Sequence, residues 1–176
     1  DVAVVGGGSV NLDVPVTVSA LQFTGGSIQG PSDLIIVNDL IWTGGRFQGA
    51  SGTLVTTTSS ALVTLSGGQH TIDGRTLVLN SATNWTTGLI ELANGGILEI
   101  AASATLTSNP SLALESIFAT GIGTAQLRNA GAIVKQGANS SGIGQTVQYS
   151  GTGSIAVNSG DFIFAAPPAA HKMPRG

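Results

Sequence analysis

The chain has 176 residues, only 9% of them charged against roughly 25% in an ordinary soluble domain, and a net charge of −3. Six Lys and Arg against nine Asp and Glu, with no basic block, exclude recognition of nucleic acid through its phosphates. A 41% hydrophobic content excludes charge-driven disorder, and zero Cys excludes disulfides, thiolate metal sites and Cys nucleophiles.

From the N-terminus, Asp1-Val2-Ala3-Val4-Val5-Gly6 lacks the basic start and long apolar run of a signal peptide, as a mature secreted chain or an excised segment also would. Gly6-Gly7-Gly8-Ser9 has no following Lys and opens no helix, so it reads as a turn and not as a phosphate loop. Val14-Pro15-Val16-Thr17-Val18 then alternates as a strand. The segment Leu21-Gln22-Phe23-Thr24-Gly25-Gly26-Ser27-Ile28-Gln29-Gly30 returns 19 residues later as Leu40-Ile41-Trp42-Thr43-Gly44-Gly45-Arg46-Phe47-Gln48-Gly49. Its core returns again as Leu65-Ser66-Gly67-Gly68 and as Trp85-Thr86-Thr87-Gly88, at offsets of 23 and 20 residues. Such a period is that of a solenoid coil. Each unit carries a large apolar residue, a small hydroxyl residue and a glycine corner.

Between these corners the chain alternates or runs apolar at Ala61–Leu65, Leu77–Leu79, Ile97–Ile100, Ala132–Val134 and Ile155–Val157. Asp73-Gly74, Asn94-Gly95 and Ser159-Gly160 supply further positive-φ corners. Asn109-Pro110 offers the one helix-like start, but the alternation Leu112/Leu114 favours a strand there too. No apolar stretch approaches the roughly 20 residues of a membrane-spanning helix, so no membrane insertion is expected. The expectation is an all-β, single-stranded right-handed parallel β-helix over residues 1–164. It has about eight coils, near 2–15, 16–33, 34–52, 53–74, 75–95, 96–123, 124–146 and 147–164. Phe23, Trp42, Leu65 and Trp85 should form one inward ladder, and Ile28, Phe47, Ile72 and Ile90 a second. Residues 165–176, rich in Ala and Pro, read as a disordered tail or linker.

The Trp/Phe-Thr-Gly-Gly units, with Asp73-Gly74-Arg75-Thr76-Leu77, Asn84-Trp85-Thr86-Thr87-Gly88, Leu127–Lys135 and Val157–Phe162, resemble the Gly-, Thr- and Asn-rich coils of bacterial surface β-solenoids. Autotransporter passengers and filamentous-haemagglutinin-like adhesins carry such coils. The resemblance spans residues 10–164 and implies an extracellular or cell-surface stalk, adhesin or matrix component. Its partners would be glycans, matrix components or further copies joined through the open ends of the helix.

The rival class is a polysaccharide- or ester-cleaving enzyme, a glycoside hydrolase, lyase or esterase working on an outer face. That chemistry needs two carboxylates, or a carboxylate and a base, across a groove. The body offers Asp33, Asp39, Asp73, Glu91, Glu99, Glu115 and Asp161. Glu91 and Glu99, on strands of neighbouring coils with Asp73 or Arg75 nearby, are the candidate catalytic pair. His70, three residues before Asp73, formally permits a Ser–His–Asp site, but no Gly-x-Ser-x-Gly elbow accompanies it and a polar corner residue is the plainer reading. Trp42, Trp85 and Tyr149 would be sugar platforms if they faced outward; their place in the repeat points the tryptophans inward. Solitary aspartates and two histidines provide no calcium or zinc ligand set, and nothing calls for a cofactor.

Overall fold

The computed structural model describes residues 1–50, 52–111 and 114–165, and among them finds twenty-one strands and no helix. Taken turn by turn, the chain runs β1 (Val2–Val5), β2 (Ser9–Asn11) and the first part of β3 (Val16–Phe23). The rest of β3, β4 (Ser27–Gln29) and the first part of β5 (Leu34–Trp42) follow, then the rest of β5, β6 (Gly45–Gln48) and β7 (Leu54–Thr57). The fourth turn is β8 (Leu62–Leu65), β9 (His70–Asp73) and β10 (Thr76–Leu79); the fifth is β11 (Ala82–Trp85), β12 (Ile90–Ala93) and β13 (Ile97–Ile100). The sixth is β14 (Thr105–Ser108), β15 (Leu114–Thr120) and β16 (Gln126–Asn129), and the seventh β17 (Ala132–Lys135), β18 (Ser140–Ile143) and β19 (Gln148–Ser150). With β20 (Ser154–Val157) and β21 (Phe162–Phe164) an eighth begins. The β-solenoid therefore has about seven turns, the eighth expected coil being partial. The helix-like start after Asn109 leads into strand β15, and the expected tail, apart from Ala165, lies outside the described residues.

Each turn presents three faces, and every ladder is parallel. Face A stacks β1, the latter parts of β3 and β5, β8, β11, β14, β17 and β20. Face B stacks β2, β4, β6, β9, β12, β15, β18 and β21. Face C holds the first parts of β3 and β5, then β7, β10, β13, β16 and β19. Because β3 and β5 run unbroken from face C into face A, those two faces form one thirteen-stranded sheet. A register shift between Val18 and Ala20 marks the bend.

Residues two apart on a strand share a face, so one residue of each alternating pair points into the column. On face A the innermost slot is filled by Val5, Phe23, Trp42, Leu65, Trp85, Ser108, Lys135 and Val157, in direct register. The expected ladder Phe23–Trp42–Leu65–Trp85 is present, with all four side chains fully buried. Phe23 stacks on Trp42 with centroids 5.9 Å apart and planes 9° apart, and Phe47 meets Trp42 edge-on at 4.7 Å. Each tryptophan also caps its own corner: Trp42 Nε1 donates to the Gly44 carbonyl at 3.0 Å and Trp85 Nε1 to that of Gly88 at 2.7 Å.

The second expected ladder holds for Ile28, Phe47 and Ile72 but then passes to Leu92, not Ile90. The corner explains the correction. Phe23 to Ile28 and Trp42 to Phe47 span five residues, whereas Leu65 to Ile72 and Trp85 to Leu92 span seven. Two extra residues preserve the in–out parity, so Ile90 still points inward, one slot earlier, above His70. The corners themselves are close-packed. Gly88 has φ +88°, and a Cβ there would run into the Gly68 carbonyl of the turn below.

Candidate functional site

The sequence candidates divide by face. His70 points into the column, wholly buried, with its ring edge-on to Trp42 at 5.0 Å. Its Nε2 lies 2.9 Å from the Trp42 carbonyl and 3.1 Å from that of Ser66, and Nδ1 lies 3.3 Å from that of Leu89. Burial lowers its pKa from 6.5, against the opposing pull of these carbonyls, and its hydrogen-bond partners among the described residues are backbone carbonyls. Trp42 and Trp85 are core residues and offer no ring to a ligand. Tyr149 is half-buried on β19, its hydroxyl accepting from Asn129 Nδ2 at 3.2 Å and its ring edge-on to Phe164 at 5.6 Å.

Glu91 and Glu99 belong to the same turn but to different faces, B and C, so they do not line one groove. Glu99 is half-buried and pairs loosely with Arg128 at 3.6 Å. Arg75 is buried at the corner between faces B and C, where Nε donates to Thr53 Oγ1 at 3.0 Å. Its Nη2 donates to the carbonyls of Gly30 at 3.0 Å and Ser32 at 2.6 Å, so one guanidinium ties three turns together. Burial lowers its pKa, with Asp33 opposing. Among the remaining acids, Asp33 accepts from the Leu54 amide at 2.8 Å, Asp39 points outward on face A, and Glu115 is buried opposite Ser141. Asp161 accepts the Ser141 amide through its backbone carbonyl at 3.0 Å.

What the fold does bring together is Glu91 with Asp73. The outward column Ser27, Arg46, Thr71, Glu91, Phe118 climbs face B, and Asp73 stands two residues along from Thr71. Glu91 accepts from Gln69 Nε2 at 2.6 Å, Thr71 Oγ1 at 2.8 Å and Thr120 Oγ1 at 2.7 Å. Asp73 accepts from Arg46 Nη1 at 2.7 Å and Asn94 Nδ2 at 2.7 Å. Both acids are nearly buried although they lie on an outer face. Burial pushes the Glu91 carboxyl upward. Hydrogen bonds from Thr120, Thr71 and Gln69 and the charge of Arg46 outweigh that, so its pKa is lowered overall.

Chemically, this is a pair of carboxylates whose oxygens each accept at least one hydrogen bond. Glu91 accepts three hydrogen bonds and its pKa is lowered, the opposite of the raised pKa that a general acid needs. The free capacity lies on the rim, in the half-exposed guanidinium of Arg46 and the exposed amide of Gln69. Beside Thr120 an open cavity of about 340 Å³ is lined by Gly121, Gly123, Thr124, Thr146 and Gln148. Among the described residues no group of three or more His, Asp or Glu is placed to hold a metal ion.

Sequence reasoning missed Arg46 as the partner of Asp73, and Phe118 as the half-buried aromatic facing outward next to Glu91. The repeat alignment held the signal for the first, since Arg46 replaces Ser27 at an outward position. A scan of protein-family models found no match, and searches of curated proteins and of solved structures returned none.

Proposed function

We propose that the chain is a rigid extracellular structural or adhesion module, of the kind carried by bacterial autotransporter passengers and filamentous-haemagglutinin-like adhesins. The observation that carries this reading is where the reactive side chains go. His70, Arg75 and Lys135 are buried and bonded to backbone carbonyls, and each carboxylate oxygen of Asp73 and Glu91 accepts from a neighbouring side chain. The polar residues thus hold successive turns in register. The module's work is then mechanical: parallel ladders and an apolar interior keep a column at fixed length, and an outer surface of Thr, Ser, Asn and Gln meets glycans or matrix.

The reading is tested by presenting the purified chain to polysaccharides and simple esters while recording both binding and released product. Binding without turnover supports the adhesion module. Turnover that survives repurification and disappears in Glu91→Gln and Asp73→Asn would overturn it in favour of a glycoside hydrolase, lyase or esterase, since these two acids share face B on adjacent turns.

A further inference from the structure

We infer that the open cavity at the corner between faces B and C takes an uncharged sugar residue, which rests on the adhesion reading above and gives it a place on the column. Corner length makes the cavity. Between faces B and C the chain spends two residues in the fourth turn (74–75) and three in the fifth (94–96), but five in the sixth (121–125) and four in the seventh (144–147). The two long corners are neighbours, and Thr120, Gly121, Gly123, Thr124, Thr146 and Gln148 line about 340 Å³ between them. That volume is at the small end of ligand sites, which run to roughly 300–1,000 Å³, and suits a single residue or the end of a glycan. Hydrogen bonds hold its shape. Gly121 and Gly123 lack side chains, so the sixth corner lies directly against Asn94 and Gly95 of the fifth. Asn94 Oδ1 accepts from the Ile122 amide at 3.2 Å, while its Nδ2 donates to Asp73 at 2.7 Å. On the other side Thr120 Oγ1 donates to Glu91 Oε1 at 2.7 Å. The two nearly buried carboxylates of face B thus brace the cavity, one through the loop and the other through a hydroxyl. Walls fixed in advance lower the ordering cost of binding.

The chemistry of the lining selects the ligand. None of the lining residues is charged, so an ionic ligand finds no counter-charge among them. Because the hydroxyl proton of Thr120 is given to Glu91, its oxygen is left to accept. The hydroxyls of Thr124 and Thr146 and the amide of Gln148 are exposed and make no side-chain hydrogen bond among the described residues. They are free to donate or to accept. Polar groups of both senses around a small volume match a ligand whose own polar atoms each donate and accept, which is the pattern of sugar hydroxyls. Ile122, 82% exposed between Gly121 and Gly123, adds an apolar side chain on which the C–H face of a sugar ring packs.

Titrating the methyl glycosides of glucose, galactose and mannose into the purified chain, followed by saturation-transfer NMR, tests the inference, with glucuronate and glucosamine as charged counterparts. At least one neutral glycoside is expected to bind saturably in the millimolar range, and more tightly than either charged sugar. Thr146→Trp, which fills the cavity from an exposed corner, should abolish binding, whereas Asn84→Trp, exposed on face A, should leave it unchanged. Thr120→Val, which removes the hydroxyl and keeps the shape, should weaken binding about tenfold, and Thr120→Ser should restore it. Urea midpoints show which variants are folded; Gln148→Ala, at an exposed position, stands in for any that is not and should also weaken binding. Failure of all three neutral glycosides to bind, binding that survives Thr146→Trp, or tighter binding of a charged sugar would overturn the inference. The adhesion module outlives that result if the chain still binds polysaccharide without turnover. Turnover of the polysaccharide would instead remove the reading on which the sugar site rests.

Discussion

Trp42→Ala is the most direct test of how the column is held. The ring is fully buried, stacked on Phe23, edge-on to Phe47 and His70, and bonded through Nε1 to the Gly44 carbonyl. Truncating a buried aromatic to Ala costs about 3–5 kcal/mol in lost transfer and in the cavity left behind. The turns on either side are fixed by continuous backbone ladders and cannot collapse to fill the gap, which favours the upper part of that range. The lost indole bond adds little, because Gly44 is only half-buried and its carbonyl regains water. A loss of about 4–5 kcal/mol is therefore expected. Trp42→Phe keeps most of the stacking and should lose about 1–2 kcal/mol. Urea denaturation followed by far-UV circular dichroism measures the change, while the remaining Trp85 reports by fluorescence whether the turns unfold together. A loss below about 0.5 kcal/mol would refute the inward ladder and return the ring to the surface as a sugar platform.

Stability should fall as the medium is acidified below pH 6.5, because the unfolded chain takes up a proton that buried His70 resists; the slope is at most about 1.4 kcal/mol per pH unit, and His70→Gln should remove it. Below about pH 4.5 a second loss should follow as Glu91, held below its ordinary value, is protonated; Glu91→Gln should flatten this part of the urea-midpoint profile. Glu91→Ala should cost about 2–3 kcal/mol, since it strips three hydrogen bonds from a nearly buried site, against under about 0.5 kcal/mol for Glu99→Ala, whose carboxylate makes only a loose ion pair with Arg128. Gly88→Ala, with φ +88° and the Gly68 carbonyl in the way, should cost about 2–4 kcal/mol by thermal or urea melting; Gly52→Ala, at φ +95° in open space, should cost about 1–2 kcal/mol.

The strands and corners were legible because a solenoid repeats one local problem. A glycine turn must follow a large inward residue, and Phe23, Trp42, Leu65 and Trp85 mark that residue at each turn. Corner length was not legible. A corner lengthened by two residues leaves the alternation unchanged, so Ile90 read as the equivalent of Ile72 when Leu92 holds that place. The same ambiguity misplaced the candidate site. Glu91 and Glu99 stand eight residues apart, and whether a corner falls between them decides if they share a face; Asn94-Gly95 is that corner. Lys135 was hidden for another reason. Its period places it in the tryptophan slot, where the 27-residue step from Ser108 to Lys135 brings a cation into the column. Its Nζ donates to the carbonyls of Gln136 at 2.5 Å and Gly137 at 2.9 Å.

The low charge of the chain and the placement of its charges follow from one constraint. Outward positions on a solenoid face stack directly above one another, about 4.8 Å apart, so like charges in one column would repel along its length. Face B mixes the signs and fills the gaps with hydroxyls, as Arg46, Thr71 and Glu91 do in a single column. Face C sets Glu99 directly opposite Arg128. Arg75 and Lys135 go inside or to corners, where carbonyls receive them. Face A carries one outward charge, Asp39, among apolar, hydroxyl and amide side chains. Charge on this solenoid is thus set where an opposite charge, a hydroxyl or a backbone carbonyl meets it.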